Sequence, residues 1–409
     1  MQIAVANRLN GIGEYYFSQK LKQIEELNKT GNPVLNLGIG SPDLPPHPDV
    51  IRVLQEEAAK PNTHAYQSYI GSPVLRKAAA DWYATWYGVT LDPAKEVLPL
   101  IGSKEGIMHI CMTYLNEGDY ALIPNPGYPT YRSVVQLAGG KCLEYELKAE
   151  NNYFPDFEAL EQQVQAINKQ QGASNSLPTG EGRGGAVKLM WVNYPHMPTG
   201  TLGTPELFAQ LIAFGKKHNI LICHDNPYSF ILNDQPASML AIEGAKDVVL
   251  ELNSLSKSQN MAGWRVGFLM GAADRINEVL RFKSNMDSGM FLPLQLAAAK
   301  ALSLDASWYD SVNQHYRERR VKAFELLDLL GCTYSKEQVG MFLWAQIPEG
   351  YADGFALSDE VLEGARVFIT PGGIFGSAGN GFIRVSLCSP IDKLDAAIQR
   401  IKESRSVAV

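Results

Sequence analysis

Residues 253–270 read NSLSKSQNMAGWRVGFLM, and this stretch decides how the rest of the chain is read. It holds one lysine, Lys257, among small polar residues, and one arginine, Arg265, eight positions on. Directly before it runs DVVLEL, a short apolar segment with the length and branching of a buried strand. Lys257 is therefore expected on a turn at the carboxyl end of that strand, the edge at which open α/β sheets take their ligands. A lysine placed there, with Ser254 and Ser256 nearby, can form a Schiff base with a carbonyl cofactor. Taken alone, SxSK reads first as a solvated surface lysine, so other motifs must decide.

Composition narrows the field. The 409 residues are 45% hydrophobic and 19% charged, ordinary globular values with length for a large core. The net charge is −7 and no Lys/Arg run is present, which argues against nucleic acid as the main partner. Five scattered cysteines (Cys111, Cys142, Cys223, Cys332, Cys388) without a CxxC read as thiols in a reducing compartment. The N-terminus lacks a signal pattern and no apolar run is long enough to span a bilayer. A soluble, cytoplasmic protein with no membrane partner is expected.

Outward from the lysine, several strand ends carry polar residues. NILICHDNPYSF places Asp225 just past an apolar strand, with Tyr228 three residues later. A carboxylate there is paired or ligating, since burying it alone is costly; a turn cap is the plainer reading. VLPLIGSKEG gives a strand followed by Gly102, Ser103 and Lys104 at the opening of a helix. Free backbone N–H groups, a hydroxyl and the positive dipole end suit a phosphate, although an ordinary serine cap uses the same residues. NPGYPTY holds Tyr128 on a tight turn, where its ring can lie on a flat aromatic ligand. LGIGSPDLPPHP is a stiff connector that includes Gly40. Tyr66 sits in a loop ahead of Gly71 and reads first as a packing group. Arg384 lies inside the apolar strand FIRVSL and needs a partner, for which a carboxylate fits best; a structural salt bridge satisfies it equally.

The remaining segments read as scaffold. Residues 14–29 form an amphipathic helix, and residues 49–60, 274–283 and 308–330 form further helices. Arg317, Arg319 and Arg320 are expected on the solvated face of the last of these. Residues 168–186 are polar and rich in Gly and Ser, a flexible surface insertion without chemistry. Short alternating strands after residue 340 predict a smaller α+β lobe. The fold class is α/β: a large cofactor-binding domain over 46–300 with a mostly parallel sheet, and a small α+β domain from 1–45 and 301–409.

Gly102, Asp225 and Lys257 each follow a buried strand, so one edge of one sheet should gather them. Pyridoxal phosphate needs this inventory: a lysine, an acid for the pyridine nitrogen, donors for the phosphate, an aromatic ring for stacking, and an arginine for the substrate carboxylate. With the motifs SLSKSQNMAGWRVGF, HDNPYSF, IGSKEG, NPGYPTY, LGIGSPDLPP and GNGFIRVSL, the chain resembles the fold-type I, class I/II aminotransferases over nearly its full length. IGSKEGIMH and KSNMDSGMF are most similar to the branch containing LL-diaminopimelate aminotransferases.

The resemblance implies a seven-stranded type of sheet, pyridoxal 5'-phosphate as cofactor, and ping-pong exchange between an α-amino acid and a 2-oxo acid. It implies Lys257 as Schiff-base lysine and acid/base, Asp225 at the pyridine nitrogen and Tyr228 at the 3-hydroxyl. Gly102, Ser103, Lys104, Ser254 and Arg265 would surround the phosphate, and Tyr128 would stack on the ring. Gly40 would contact the substrate through its backbone and Arg384 would clamp its α-carboxylate. Tyr66 would reach the neighbouring subunit's phosphate, which implies a homodimer. No metal is implied. One position departs from the family: where Asn-Pro-Thr-Gly is usual, this chain has Met197-Pro198-Thr199-Gly200. Met197 cannot donate to the 3-hydroxyl, leaving Tyr228 alone or Asn193 as a substitute. Another pyridoxal phosphate chemistry on the same fold, such as β-elimination, is not separated by Lys257 and Asp225. A cofactor-binding regulatory domain would need an appended DNA-binding domain, for which the segment before LGIGSPD is short.

Overall fold

The computed structural model describes residues 3–10, 12–13, 16–173 and 185–407. The elements run α1 (Tyr16–Asn28), β1 (Leu35–Asn36), α2 (Pro48–Ala58), α3 (Pro73–Tyr87), β2 (Val97–Leu100), α4 (Ser103–Tyr114), β3 (Tyr120–Asn125), α5 (Pro129–Leu137), β4 (Lys141–Glu146), α6 (Phe157–Ala173), β5 (Val187–Val192) and α7 (Pro205–His218). They continue β6 (Leu221–Asp225), β7 (Val249–Ser254), β8 (Gly267–Gly271), α8 (Ala273–Lys283), α9 (Leu292–Leu302), α10 (Ala306–Leu330), β9 (Phe342–Gln346), α11 (Gly354–Ala365), β10 (Val367–Phe368), β11 (Thr370–Pro371), β12 (Phe382–Ser386) and α12 (Ile391–Val407).

Local chemistry sets several boundaries. Ser72 caps α3 by accepting from Leu75 N, Pro73 opens the helix, and Gly88 closes it at φ +67°. Thr204 and Pro205 open α7 in the same way, and Asn219 ends it in the left-handed region.

A seven-stranded sheet has the order β2-β8-β7-β6-β5-β3-β4. All neighbours are parallel except those of β8, which runs antiparallel to both β2 and β7. The sheet is thus mostly parallel, as expected. Its strands are buried on both faces, with Leu122, Met190, Ile222 and Phe268 on one side and Ile123, Leu189, Cys223 and Leu269 on the other. This alternation explains why the strands read as continuous apolar runs. A second, antiparallel sheet of order β11-β12-β9 packs with α10, α11 and α12 around Leu343, Ile383, Val385 and Leu394. β1 pairs with β10.

Two expectations need correction. α6 continues to Ala173, so the start of the expected insertion is helical, while residues 174–184 lie outside those described. Arg319 is not on a solvated face: it is 4% exposed and shares the buried side of α10 with Tyr316 and Ala323. Its guanidinium makes a bidentate pair with Asp43 (Nη1–Oδ1 2.6 Å, Nη2–Oδ2 2.8 Å) and also donates to Leu387 O. A buried arginine requires such a partner. The pair ties α10 to the connector that follows β1. Among the described residues, no helix is long and apolar enough to cross a membrane.

Candidate active site

Because β8 is antiparallel to both neighbours, β2 runs in the same direction as β6 and β7. The carboxyl ends of these three strands and the start of β8 therefore meet at one sheet edge. There Ser103, Lys104, Asp225, Ser254, Lys257 and Arg265 line a cavity of about 390 Å³, joined by Gly40, Tyr128, Tyr228 and Arg384. The sequence expectation that one edge gathers these groups holds.

One end of the cavity is a cradle for an anion. Gly102 precedes α4 at φ +80°, a conformation that favours glycine, and among the described residues no side chain caps the first N–H groups of the helix. A Cβ on Gly102 would lie 2.2 Å from Arg265 Nη2, and one on Gly267 would lie 2.6 Å from Ser103 N. Both glycines are thus needed for β8 and the Arg265 guanidinium to approach the turn. Arg265 is held by Ala262 O (3.0 Å) and Ser256 Oγ (3.4 Å), and Ser254 Oγ donates to Ser256 Oγ (2.9 Å). Glu105 accepts from Ile101 N (2.5 Å), which fixes the turn from behind.

At the centre stands Asp225, 5% exposed at the end of β6. Tyr131 donates to its Oδ2 (2.9 Å), while Oδ1 has no hydrogen-bond partner among the described residues. Burial pushes this carboxyl up to about 6, against the opposing pull of Tyr131, His224 and Lys257. Such a group favours a cationic N–H as neighbour. Tyr131 stacks on Trp191 with centroids 5.1 Å apart and meets Tyr128 edge-on at 5.5 Å.

Asn193 is committed to the backbone: its amide donates to Asp225 O (2.5 Å) and its oxygen accepts from Met197 N (2.7 Å). It shapes the turn at Met197.

Lys257 Nζ reaches across the cleft and donates to Gly40 O (2.7 Å), with the Tyr228 ring centroid 5.7 Å away. Burial lowers the ammonium from its ordinary range, reinforced by Arg384 and Arg265, which favours the neutral amine.

The far wall comes from the connector and β12. Four successive carbonyls of the connector are taken: Leu37 O by Ser386 N, Gly38 O by Arg384 Nη2 (2.8 Å), Ile39 O by Ser386 Oγ (2.8 Å) and Gly40 O by Lys257. A Cβ on Gly40 would fall 2.1 Å from Phe342 Cζ. Arg384 is 4% exposed, its guanidinium carbon 3.9 Å from the Phe342 centroid and 4.6 Å from that of Phe375. Its Nη1 lies 3.4 Å from Met197 Sδ. The thioether therefore sits on the arginine, where the family's usual asparagine would offer an amide.

Tyr66 is not brought to this cavity. It is 91% exposed on a loop anchored where Lys283 Nζ donates to Tyr69 O (3.2 Å). Tyr131, Phe342 and Phe375 line the cavity but were not singled out from the sequence. Only Tyr131 carried a local signal, three residues after Tyr128 in the first turn of α5.

Residues 32–401 match the family model described as "Aminotransferase class I and II". The chain is 39% identical to the LL-diaminopimelate aminotransferase of Dehalococcoides mccartyi, covering 99% of this chain and 100% of that protein. Identity to the LL-diaminopimelate aminotransferase of Aquifex aeolicus is 36%, with coverage of 97% and 98%. Among solved structures, substrate-bound BacF from Bacillus subtilis superposes with a TM-score of 0.89 at 37% identity over 98% of each chain.

Proposed function

The chain belongs to the class I and II aminotransferases, and from that premise we propose how its own residues divide the work. It moves an amino group between an amino acid and a 2-oxo acid with pyridoxal 5'-phosphate as cofactor. When bound, the cofactor supplies an aldehyde carbon that accepts the amino group and a ring that draws electrons from Cα.

Lys257 presents the reactive amine and carries the proton between the substrate Cα and the cofactor's C4′. Asp225 holds a proton on the pyridine nitrogen; its buried, half-unpartnered carboxyl opposite Lys257 is the observation that carries this reading. Gly102, Ser103, Lys104, Ser254 and Arg265 hold the phosphate, for which the glycine-lined cradle is fitted. Tyr128 stacks on the ring. Tyr228 serves the 3-hydroxyl, where Met197 has no donor to offer; Asn193 spends one amide N–H on Asp225 O and its oxygen on Met197 N. Gly40 meets the substrate through its backbone, and Arg384 binds the α-carboxylate.

The cleft lies between a large domain, 46–300, and a small domain made from 1–45 and 301–409. The protein works as a homodimer, with Tyr66 reaching the phosphate of the neighbouring site. Support comes from the exposed apolar side chains of Tyr66, Tyr69, Ile101, Met286 and Phe291. The free, mostly buried cysteines suit the cytoplasm.

Reconstitution tests the assignment. Protein loaded with pyridoxal phosphate, reduced with borohydride and digested should yield one peptide modified at Lys257. A label elsewhere, or turnover by Lys257→Ala with unchanged kcat, would refute it.

A further inference from the structure

β6 ends on two ionisable side chains in succession. Asp225 faces the cleft and Tyr131. His224, one residue earlier, emerges on the opposite face of the sheet, in the layer of Tyr83, Tyr194 and Phe208. His224 is 0% exposed, and its neighbour across the parallel register is Glu251 of β7, also 0% exposed. A polar pair at such depth is costly unless its hydrogen-bonding atoms are met.

Here they are met, and the partners fix the protons. His224 Nε2 lies 2.9 Å from Tyr194 O, a carbonyl that can only accept, and Nδ1 lies 2.8 Å from Glu251 Oε2. Glu251 is surrounded by donors. Met239 N donates to Oε2 (2.9 Å), while Tyr83 Oη and Ser238 Oγ each donate to Oε1 (2.8 Å). Tyr83 Oη accepts from Asn253 Nδ2 (3.4 Å) and Ser238 Oγ accepts from Leu240 N (3.1 Å), which leaves each hydroxyl hydrogen for the carboxylate. Three such donors favour the ionised carboxylate, so the proton between Glu251 and His224 belongs to the imidazole. With its other nitrogen donating to Tyr194 O, His224 is an imidazolium.

This charge stands one residue from Asp225, adjacent Cα atoms being about 3.8 Å apart. Burial raises the Asp225 carboxyl, and Tyr131, His224 and Lys257 oppose that rise. Of these three, Tyr131 is a neutral donor, and burial favours the neutral amine on Lys257. The full positive charge among them is that of His224.

We propose that His224 is a positioning residue for amino transfer: its imidazolium, anchored by Glu251 and Tyr194 O behind the sheet, keeps Asp225 ionised so that it can hold a proton on the pyridine nitrogen. This rests on the role assigned to Asp225.

The test begins with the full-length, cofactor-free protein carrying isotope-labelled histidine. The ring signals of His224, assigned by their loss in His224→Gln, should show both nitrogens protonated near neutral pH; a neutral tautomer overturns the proposal. Equilibrium dialysis then compares pyridoxal phosphate with its deaza analogue, which has carbon in place of the ring nitrogen. His224→Gln should weaken the first ligand by about ten-fold and the second by less than about two-fold. Glu251→Gln, which removes the anchor and leaves His224 in place, should give the same pattern. Equal loss for both ligands marks a purely structural role and overturns the proposal. In an Asp225→Asn background, His224→Gln should change pyridoxal phosphate affinity by less than about two-fold; an undiminished effect there also overturns it. If Asp225→Asn discriminates between the two ligands and His224→Gln does not, His224 loses its role and Asp225 keeps its own. If Asp225→Asn does not discriminate either, both assignments fall.

Discussion

The two walls of the cleft are built by different means. The cofactor wall is made of strand ends and turns of a single sheet, where backbone N–H groups and glycine-permitted contacts set the spacing. The substrate wall is assembled from α1, the connector, β9 and β12, segments far apart in sequence that meet through side chains. The first wall can do its work only with close-fitting main chain. The second is held largely by side chains on the connector's carbonyls, with Gly40 the one position where a side chain would meet Phe342.

Four measurements probe that division, beginning with the largest effect. Lys257→Ala should reduce kcat by about 10⁴-fold or more, because the amine and the proton carrier proposed for that position are both lost; far-ultraviolet circular dichroism should be unchanged. Arg384→Leu belongs to the other wall. It should lower kcat/KM for α-amino acids by about 10²- to 10³-fold, the expected loss for a buried carboxylate clamp. Cofactor affinity should stay the same. Loss of cofactor in the Arg384 variant would show that the walls are not independent.

Asp225 gives a pH test in the cofactor-free protein. Its folded value of about 6 lies above the ordinary 3.8, so the folded state holds the proton more tightly than the unfolded chain. The group therefore destabilises the fold fully above pH 6, and the penalty fades as pH falls through 6 toward 3.8. Such a displacement corresponds to about 3 kcal/mol. Asp225→Asn should be the more stable protein at pH 7 by up to about that amount, with the gap closing near pH 4 in denaturant titrations. A gap that widens on acidification would contradict the environment described for this carboxyl.

The finest comparison sets two glycines against each other. Gly267→Ala should weaken cofactor binding by about 1–3 kcal/mol, since the new methyl meets the Ser103 and Gly102 backbone. Gly40→Ala should raise the amino-acid KM with a smaller change in cofactor affinity, because its methyl meets the Phe342 ring. Equilibrium dialysis and initial rates distinguish the two.

Much of the cofactor wall was legible in the sequence for a physical reason. A buried strand that ends in Gly-Ser-Lys, His-Asp or Ser-Leu-Ser-Lys states locally where its polar groups emerge, and a parallel sheet brings such ends together. The substrate wall gave no comparable signal. Phe342 and Phe375 read as ordinary core residues until Arg384 is seen between them. Arg319 was misplaced because its neighbours Arg317 and Arg320 suggested a wet face; the helical phase of Val312, Tyr316, Ala323 and Leu327 puts it inside. Tyr66 carries a role only if a second chain is present, and nothing in its local sequence says so.

The antiparallel strand β8 has one more implication. The chain leaves the sheet edge at Ser254 and re-enters it at Gly267, so Lys257 and Arg265 ride on a single excursion. The amine and the guanidinium are therefore spaced by one loop length. Inserting or deleting a residue within that loop would shift the register between them, whereas transplanting the whole excursion into a related scaffold would move the two as one module.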